Sequence, residues 1–170
     1  MRLRPRLMGP VESAPSPFRM SLLAVWLTTF GVAVLSAMVP VVNIEIYLLG
    51  ASALAPRQMV VPLVVAATLG QVIGKIGLYY AGSGALKVRG KRLQEALMKM
   101  NTQMQARPRM GGALVFVSAT AGIPPYYLVT LAAGAARMNL PMFLLLSLIG
   151  RFIRFAVVVA VPQLAREVVP

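Results

Sequence analysis

SATAGIPPYYLVTLAAGAARMNLPMFLLLSLIGRFIRF, residues 118–155, decides how the rest of the chain is read. The stretch is almost wholly apolar. Even so, Pro124 and Pro125 interrupt its first half, and Arg151 and Arg154 sit deep in its second. Proline removes a backbone donor and pushes the residue before it out of the helical region, so no regular helix runs through the pair. At membrane depth a broken helix is tolerated only where protein or a wet cavity covers the freed backbone groups. An arginine near mid-membrane costs at least ~2.5–3.5 kcal/mol and by default marks a functional site. These features predict a polar site buried between broken and spanning helices.

Composition sets the class. Of the residues, 58% are hydrophobic and 12% charged, with a mean hydropathy of +0.77. Soluble domains run at about 45–50% apolar and about 25% charged. The chain therefore reads as an all-α integral membrane protein with room for a few spans and no soluble catalytic domain. Cysteine, histidine and aspartate are absent, which removes disulfides, zinc or haem sites and His-based triads. The acids are Glu12, Glu45, Glu95 and Glu167, and only Glu45 lies inside an apolar run. No cofactor or metal is expected, and the inventory argues against an enzyme. A net charge of +13 invites a nucleic-acid reading. The cations cluster beside apolar runs, however, as they do in positive-inside loops and lipid-facing segments, so no nucleic-acid partner is expected.

Residues 1–19, with Arg2, Arg4, Arg6 and Arg19, read as a basic cytoplasmic tail. Residues 20–165 follow as one membrane domain, and 166–170 as a short extracytoplasmic tail. The apolar run 21–39 suits a first span. After Pro40, VVNIEIYLLGASALA is too short for a second, which needs about 20 residues. It reads as a re-entrant segment with Asn43 and Glu45 near its start; the alternative is a hairpin that leaves Glu45 at an interface. Residues 60–80 form the next span, where Gly70 and Gly74 at GxxxG spacing admit a close neighbour. Lys75 on that helix either snorkels to the interface or joins the site.

In the linker, residues 81–110, Leu93, Leu97, Met100 and Met104 recur at helical spacing. A basic amphipathic helix on the cytoplasmic leaflet is expected, although packing on the bundle would use the same stripe. Residues 112–136 are either two half-helices meeting at Pro124-Pro125 or one kinked span. Arg137, close behind, favours a return to the cytoplasmic face. Residues 139–161 are the last span, with Arg151 and Arg154 on neighbouring parts of one face.

The resulting order is span, re-entrant segment, span, basic linker, re-entrant segment, span, with the basic tail and linker on one side. Two opposed re-entrant loops of this kind form an inverted repeat, the arrangement transporters use to build a midplane site. GIPPYYLVTLAAGAARMNLPMFLLLSLIGRFIRF, residues 122–155, resembles the C-terminal motif of the DedA superfamily, also called the VTT or SNARE-associated domain. That motif has a proline-bearing loop, a small-residue AG, a Met-containing linker and a closing G[RK]xxR. VPVVNIEIYLLGASAL, residues 39–54, is similar to the family's first loop, and GQVIGKIGLYYAGSGAL, residues 70–86, to its glycine-rich second helix. The resemblance covers about residues 36–160, and the ending GRFIRF looks most like the YqaA-like subgroup.

The resemblance implies movement of lipids across a bilayer: bacterial members recycle undecaprenyl phosphate or phospholipids, and eukaryotic relatives are scramblases. A bacterial inner membrane with a cytoplasmic N-terminus is the implied location. Glu45 matches the first-loop acid, and Arg151 and Arg154 match the late basic pair. A second acid near the first loop is missing, and Ala121 stands where a second-loop basic residue would be expected.

The expected function is translocation of an anionic lipid by a flippase or scramblase, with membrane lipids as partners. The candidate binding residues are Glu45, Arg151, Arg154 and Lys75, together with Asn43, Pro124, Pro125 and Gly134. The arginines, aided by Lys75, would hold a phosphate by charge-assisted hydrogen bonds. Glu45 would pair with an arginine in the empty state or take up a proton. Proton coupling and a homo-oligomer are both compatible with this. The rivals are a non-transporting assembly scaffold with the arginines as structural glue and, further off, a small cation exporter, whose substrate surplus arginines would repel.

Overall fold

The computed structural model describes residues 17–39, 43–84 and 91–168. Pro40, most of the basic tail, the end of the C-terminal tail, and Lys87 and Arg89 of the linker lie outside the described residues. Seven α-helices carry nearly all of the described chain, and no strand occurs among the described residues. They are α1 (Pro17–Met38), α2 (Ile44–Leu54), α3 (Val60–Gly84), α4 (Lys91–Ala106), α5 (Pro108–Ala121), α6 (Tyr126–Ala135) and α7 (Leu140–Val168). Two stretches are long and apolar enough to cross a membrane: Arg57–Ser83, which includes α3, at mean hydropathy 1.8, and Leu140–Ala165 within α7, at 2.2.

Contacts give the helix directions. Gly70 of α3 lies against Phe30 and Ala33 of α1, and Gly74 against Val34 and Ala37. Numbers rise together, so α1 and α3 run parallel. Farther along α3, Lys75 approaches Tyr126 and Gly82 meets Leu131, so α6 is parallel to it as well. α7 runs the other way. Its Phe143 ring packs 5.2 Å from that of Tyr79, while its Gln163 borders a groove that begins at Arg57. Beside α7, Gly112 and Gly150 set α5 parallel to it, through Met142 and Ala119 respectively. α2 follows α7 too, from Glu45 at Arg154 to Ser52, whose carbonyl accepts from Gln163 Nε2 at 2.8 Å.

The architecture is thus two helical hairpins, α1–α2 and α5–α6, set from opposite ends against an antiparallel α3–α7 pair. At 1.5 Å rise per residue, α2, α5 and α6 span only about 15–21 Å, against a hydrocarbon core of about 30 Å. The start of α2 and the end of α5 come to a common level at Arg154. Each hairpin has its own packed cluster: Leu97, Val115, Val129 and Phe143 on one side, Ala33, Leu48, Leu63 and Phe155 on the other.

Local chemistry explains the second turn. Gly122 caps α5 in the left-handed region at φ 81°, its N–H donating to Ser118 O, a conformation glycine adopts without a Cβ penalty. Ser118 Oγ then donates to Pro124 O at 2.6 Å, so the break leaves no orphan there. Pro125, with no N–H to satisfy, leads directly into α6.

Of the two alternatives for residues 112–136, two helices meeting at the Pro124-Pro125 turn is the one found: α5, from Pro108, and α6 are separate and antiparallel. Two expectations change. The run 21–39 is not an isolated span. It forms one arm of a hairpin and lies parallel to α3, because the Gly70/Gly74 face admits the Ala33/Ala37 face of α1. This puts the start of α1 and the end of α7 at one end of the bundle and α4 at the other. In a bundle that spans, the start of α1 and α4 would therefore lie at opposite faces.

The second change concerns α4, which does not spend its apolar stripe on a leaflet. Leu97 and Met104 are buried against the α5–α6 hairpin, and Met100 packs beside them. Leu93's side chain lies outside the described set. Leu97 and Met104 share one buried cluster with Val129, Ala132 and Ala133 of α6.

Gly134 is where α3 and α6 come closest: a Cβ there would fall on the carbonyl oxygen of Tyr79. Gly134→Val is expected to force the helices apart and lower stability by about 1–3 kcal/mol or more. Gly77→Ala, at an open position, should leave thermal unfolding of the detergent-purified protein unchanged.

Candidate functional site

α7 delivers two arginines three residues apart, and the fold treats them differently. Arg154 points to the hairpin turns. Its Nε donates to Glu45 Oε1 at 2.5 Å, and its Nη1 to the carbonyl of Thr120 at 2.9 Å. One guanidinium therefore ties the start of α2 to the end of α5. The bare Cα of Gly122 makes room for it, since a Cβ there would stand 3.1 Å from Nη1. The pair is partly open, with side-chain exposures of 22% for Arg154 and 28% for Glu45.

Glu45 reaches this position through its helix end. Asn43 caps α2, its Oδ1 accepting from the Glu45 N–H at 2.9 Å. A carboxylate in the first turn also suits the positive end of the helix dipole.

Arg151 faces the interior and is only 9% exposed. Its guanidinium carbon lies 4.4 Å from the ring centroid of Tyr126 and 5.6 Å from that of Phe155. Its Nε is buried with no hydrogen-bond partner. Lys75, 4% exposed, sits on the same ring at 5.3 Å and donates to Ala37 O at 2.8 Å. Tyr126 is held in turn by its hydroxyl, 2.5 Å from Ser147 Oγ. Among the described residues, neither Lys75 nor Arg151 has a carboxylate in contact, because Glu45 is taken by Arg154.

Burying a cation without a counter-ion costs several kcal/mol, and a ring face returns about 0.5–2 kcal/mol of that. Among the described residues, the interior around these two cations is short of negative charge. The apolar groove of about 480 Å³ between α3 and α7 lies on the other side of α7, lined by Val60, Val64, Phe152 and Ala156, and holds none of these cations.

Of the residues singled out in the sequence, Glu45, Arg154, Arg151 and Lys75 converge. Asn43 is exposed and serves as a helix cap. Pro124 and Pro125 shape the turn beneath Arg154 without presenting a side-chain donor. Gly134 is about two helical turns along α6 from Tyr126, at the contact with Tyr79, away from the cations.

Sequence reasoning passed over Tyr126, Ser147 and Gln71. The last is buried between Gly70 and Gly74, with Nε2 2.5 Å from Ser36 Oγ and 3.1 Å from Ala33 O. A signal existed for Ser147: it stands four residues before Arg151, on the same helix face.

Among known protein families, the VTT domain matches residues 39–163, a stretch that contains both hairpin turns and all four converging charges. No curated protein and no solved structure matches the chain.

Glu45→Ala is expected to leave Arg154 with one carbonyl partner and to loosen the two turns. The cost should be about 1–3 kcal/mol, below a fully buried pair because both groups are partly exposed. Replacing both partners, Glu45→Ala with Arg154→Met, should recover part of that loss in thermal unfolding, since no charge is then stranded.

Proposed function

The chain belongs to the VTT domain family, and from that premise we propose that this membrane protein is a transporter that moves an anionic lipid across the bilayer. That family is associated with membrane transport or lipid-related function. The single observation that carries the finer reading is Arg151: a guanidinium nine-tenths buried, stacked on a ring, with its Nε unspent. Arginine's planar fork suits phosphate oxygens, so the headgroup phosphate is the natural occupant.

On this reading α3 and α7 span the bilayer, and the two hairpins are re-entrant, each reaching the midplane from its own side. The headgroup would arrive between the turns, where Glu45 and Arg154 are partly open and Ile123 is 76% exposed. Its hydrocarbon tail would stay in the membrane. The phosphate competes with Glu45 for Arg154, then reaches Arg151 and Lys75 behind it. Displaced Glu45 either turns to water or takes up a proton, which is the route by which proton coupling would enter.

Undecaprenyl phosphate and phospholipids both carry the required chemistry, and a bacterial cytoplasmic membrane is the proposed location. The role is that of a translocase, with no bond made or broken. A scaffold reading draws support from Arg154, whose bonds to Glu45 and Thr120 are structural; the unspent donor on Arg151 has no use in a scaffold.

The test is flipping of fluorescent phosphatidylglycerol in phosphatidylcholine–phosphatidylglycerol vesicles containing the purified protein. Arg151→Gln and Lys75→Met should each slow flipping by about tenfold or more, the scale of one lost charge-assisted hydrogen bond. Lys99→Ala, on the exposed side of α4, should not. Unchanged flipping in folded Arg151→Gln protein would remove the reading.

A further inference from the structure

Two cations share one aromatic ring in this site, and among the described residues no carboxylate touches either of them. We propose that the ring of Tyr126 is the resident counter-charge of the empty site, offsetting Arg151 and Lys75 while leaving the hydrogen-bond donors of Arg151 free for the incoming anion. The inference rests on the anion-site reading above and names what holds that site together before the anion comes.

The face of an aromatic ring is negative and attracts a cation placed over it. A guanidinium can stack its face on a ring and still present its N–H edge to a phosphate. A carboxylate in the same place would occupy those N–H groups, and an anion would have to break that pair before binding. The ring imposes no such competition.

Its position is fixed from two sides. Tyr126 opens α6 directly after the Pro124-Pro125 turn and is 4% exposed. Its hydroxyl is clamped to Ser147 of α7, one turn before Arg151 on the same helix, so ring and guanidinium are held in one register. Other partners are spoken for: Glu45 by Arg154, and the Ala37 carbonyl by Lys75. Tyr126 is a positioning residue, acting through the two cations.

A ring that merely fills space and a ring that balances charge differ in one measurable way. Loss of packing is indifferent to anions, whereas loss of a counter-charge is repaired by supplying another. Thermal unfolding of the full chain in neutral detergent is compared with and without dihexanoyl phosphatidate, using dihexanoyl phosphatidylcholine as the zwitterionic control.

Tyr126→Phe keeps the ring face and should unfold close to the wild type. Tyr126→Leu should unfold about 2–6 °C lower, with at least half of that deficit recovered by the phosphatidate and none by the choline lipid. In an Arg151→Met background the leucine substitution should lose less, since the charge to be balanced is gone. If Tyr126→Leu yields folded protein only when phosphatidate is present, that too supports the counter-charge role.

A deficit the phosphatidate leaves untouched, while it still stabilises the wild type, overturns the inference and spares the anion-site reading. A Phe variant as unstable as the Leu variant likewise overturns it, assigning the effect to the Ser147 clamp. No stabilisation of the wild type by phosphatidate overturns the reading and the inference together.

Discussion

The guanidinium of Arg154 is the point at which the two halves of this molecule become one. α2 begins and α5 ends at a common level, and a helix end at membrane depth leaves backbone groups that hydrocarbon cannot satisfy. The Thr120 carbonyl near the end of α5 finds its donor in Arg154, and the same guanidinium holds the acid at the start of α2. The Gly122 turn leaves the space it needs, and Asn43 sets the helix end from which Glu45 reaches it. Remove the guanidinium and the start of α2 and the end of α5 each keep their own cap, but lose this shared donor.

Arg154 is spent on structure, and that throws the situation of Arg151 into relief. The two lie three residues apart on one helix, yet one has a carboxylate and a carbonyl while the other has rings. A chain selected only for stability would replace Arg151 and Lys75 with apolar side chains of similar volume, since buried charge without a partner is a net cost. Keeping two such cations behind a partly open ion pair makes physical sense when an anion visits them.

Much of this was legible in the sequence because polar residues inside apolar runs have few explanations. Glu45, Arg151 and Arg154 were visible in this way, as was the Pro124-Pro125 break between two short helices. The Gly70/Gly74 face announced a close partner, and α1 is that partner. Direction was not legible: GxxxG spacing allows parallel and antiparallel neighbours alike, so the orientation of α1 and the end of the bundle taken by α4 had to come from contacts. The α4 stripe had the same ambiguity, because a bilayer surface and a helical hairpin both accept Leu97 and Met104. Tyr126 was hidden for a different reason. In a membrane sequence a tyrosine beside prolines reads as an interface or core residue, and only the approach of two cations from two other helices gives its ring an electrostatic role.

The layered arrangement also gives the proposed cycle an order. The outer pair is the more exposed, so an arriving phosphate meets Arg154 before Arg151 and competes with Glu45 for it. In that proposed cycle, winning the competition would loosen the Arg154 link between the start of α2 and the end of α5 while the anion itself supplied new charge for the guanidinium. The hairpins would then be freest to move at the moment the interior cations came within reach, and the link would close again once the anion left. Substrate and lock would in this way be the same chemistry, a negative group on Arg154, with opening coupled to occupancy and no separate sensor needed.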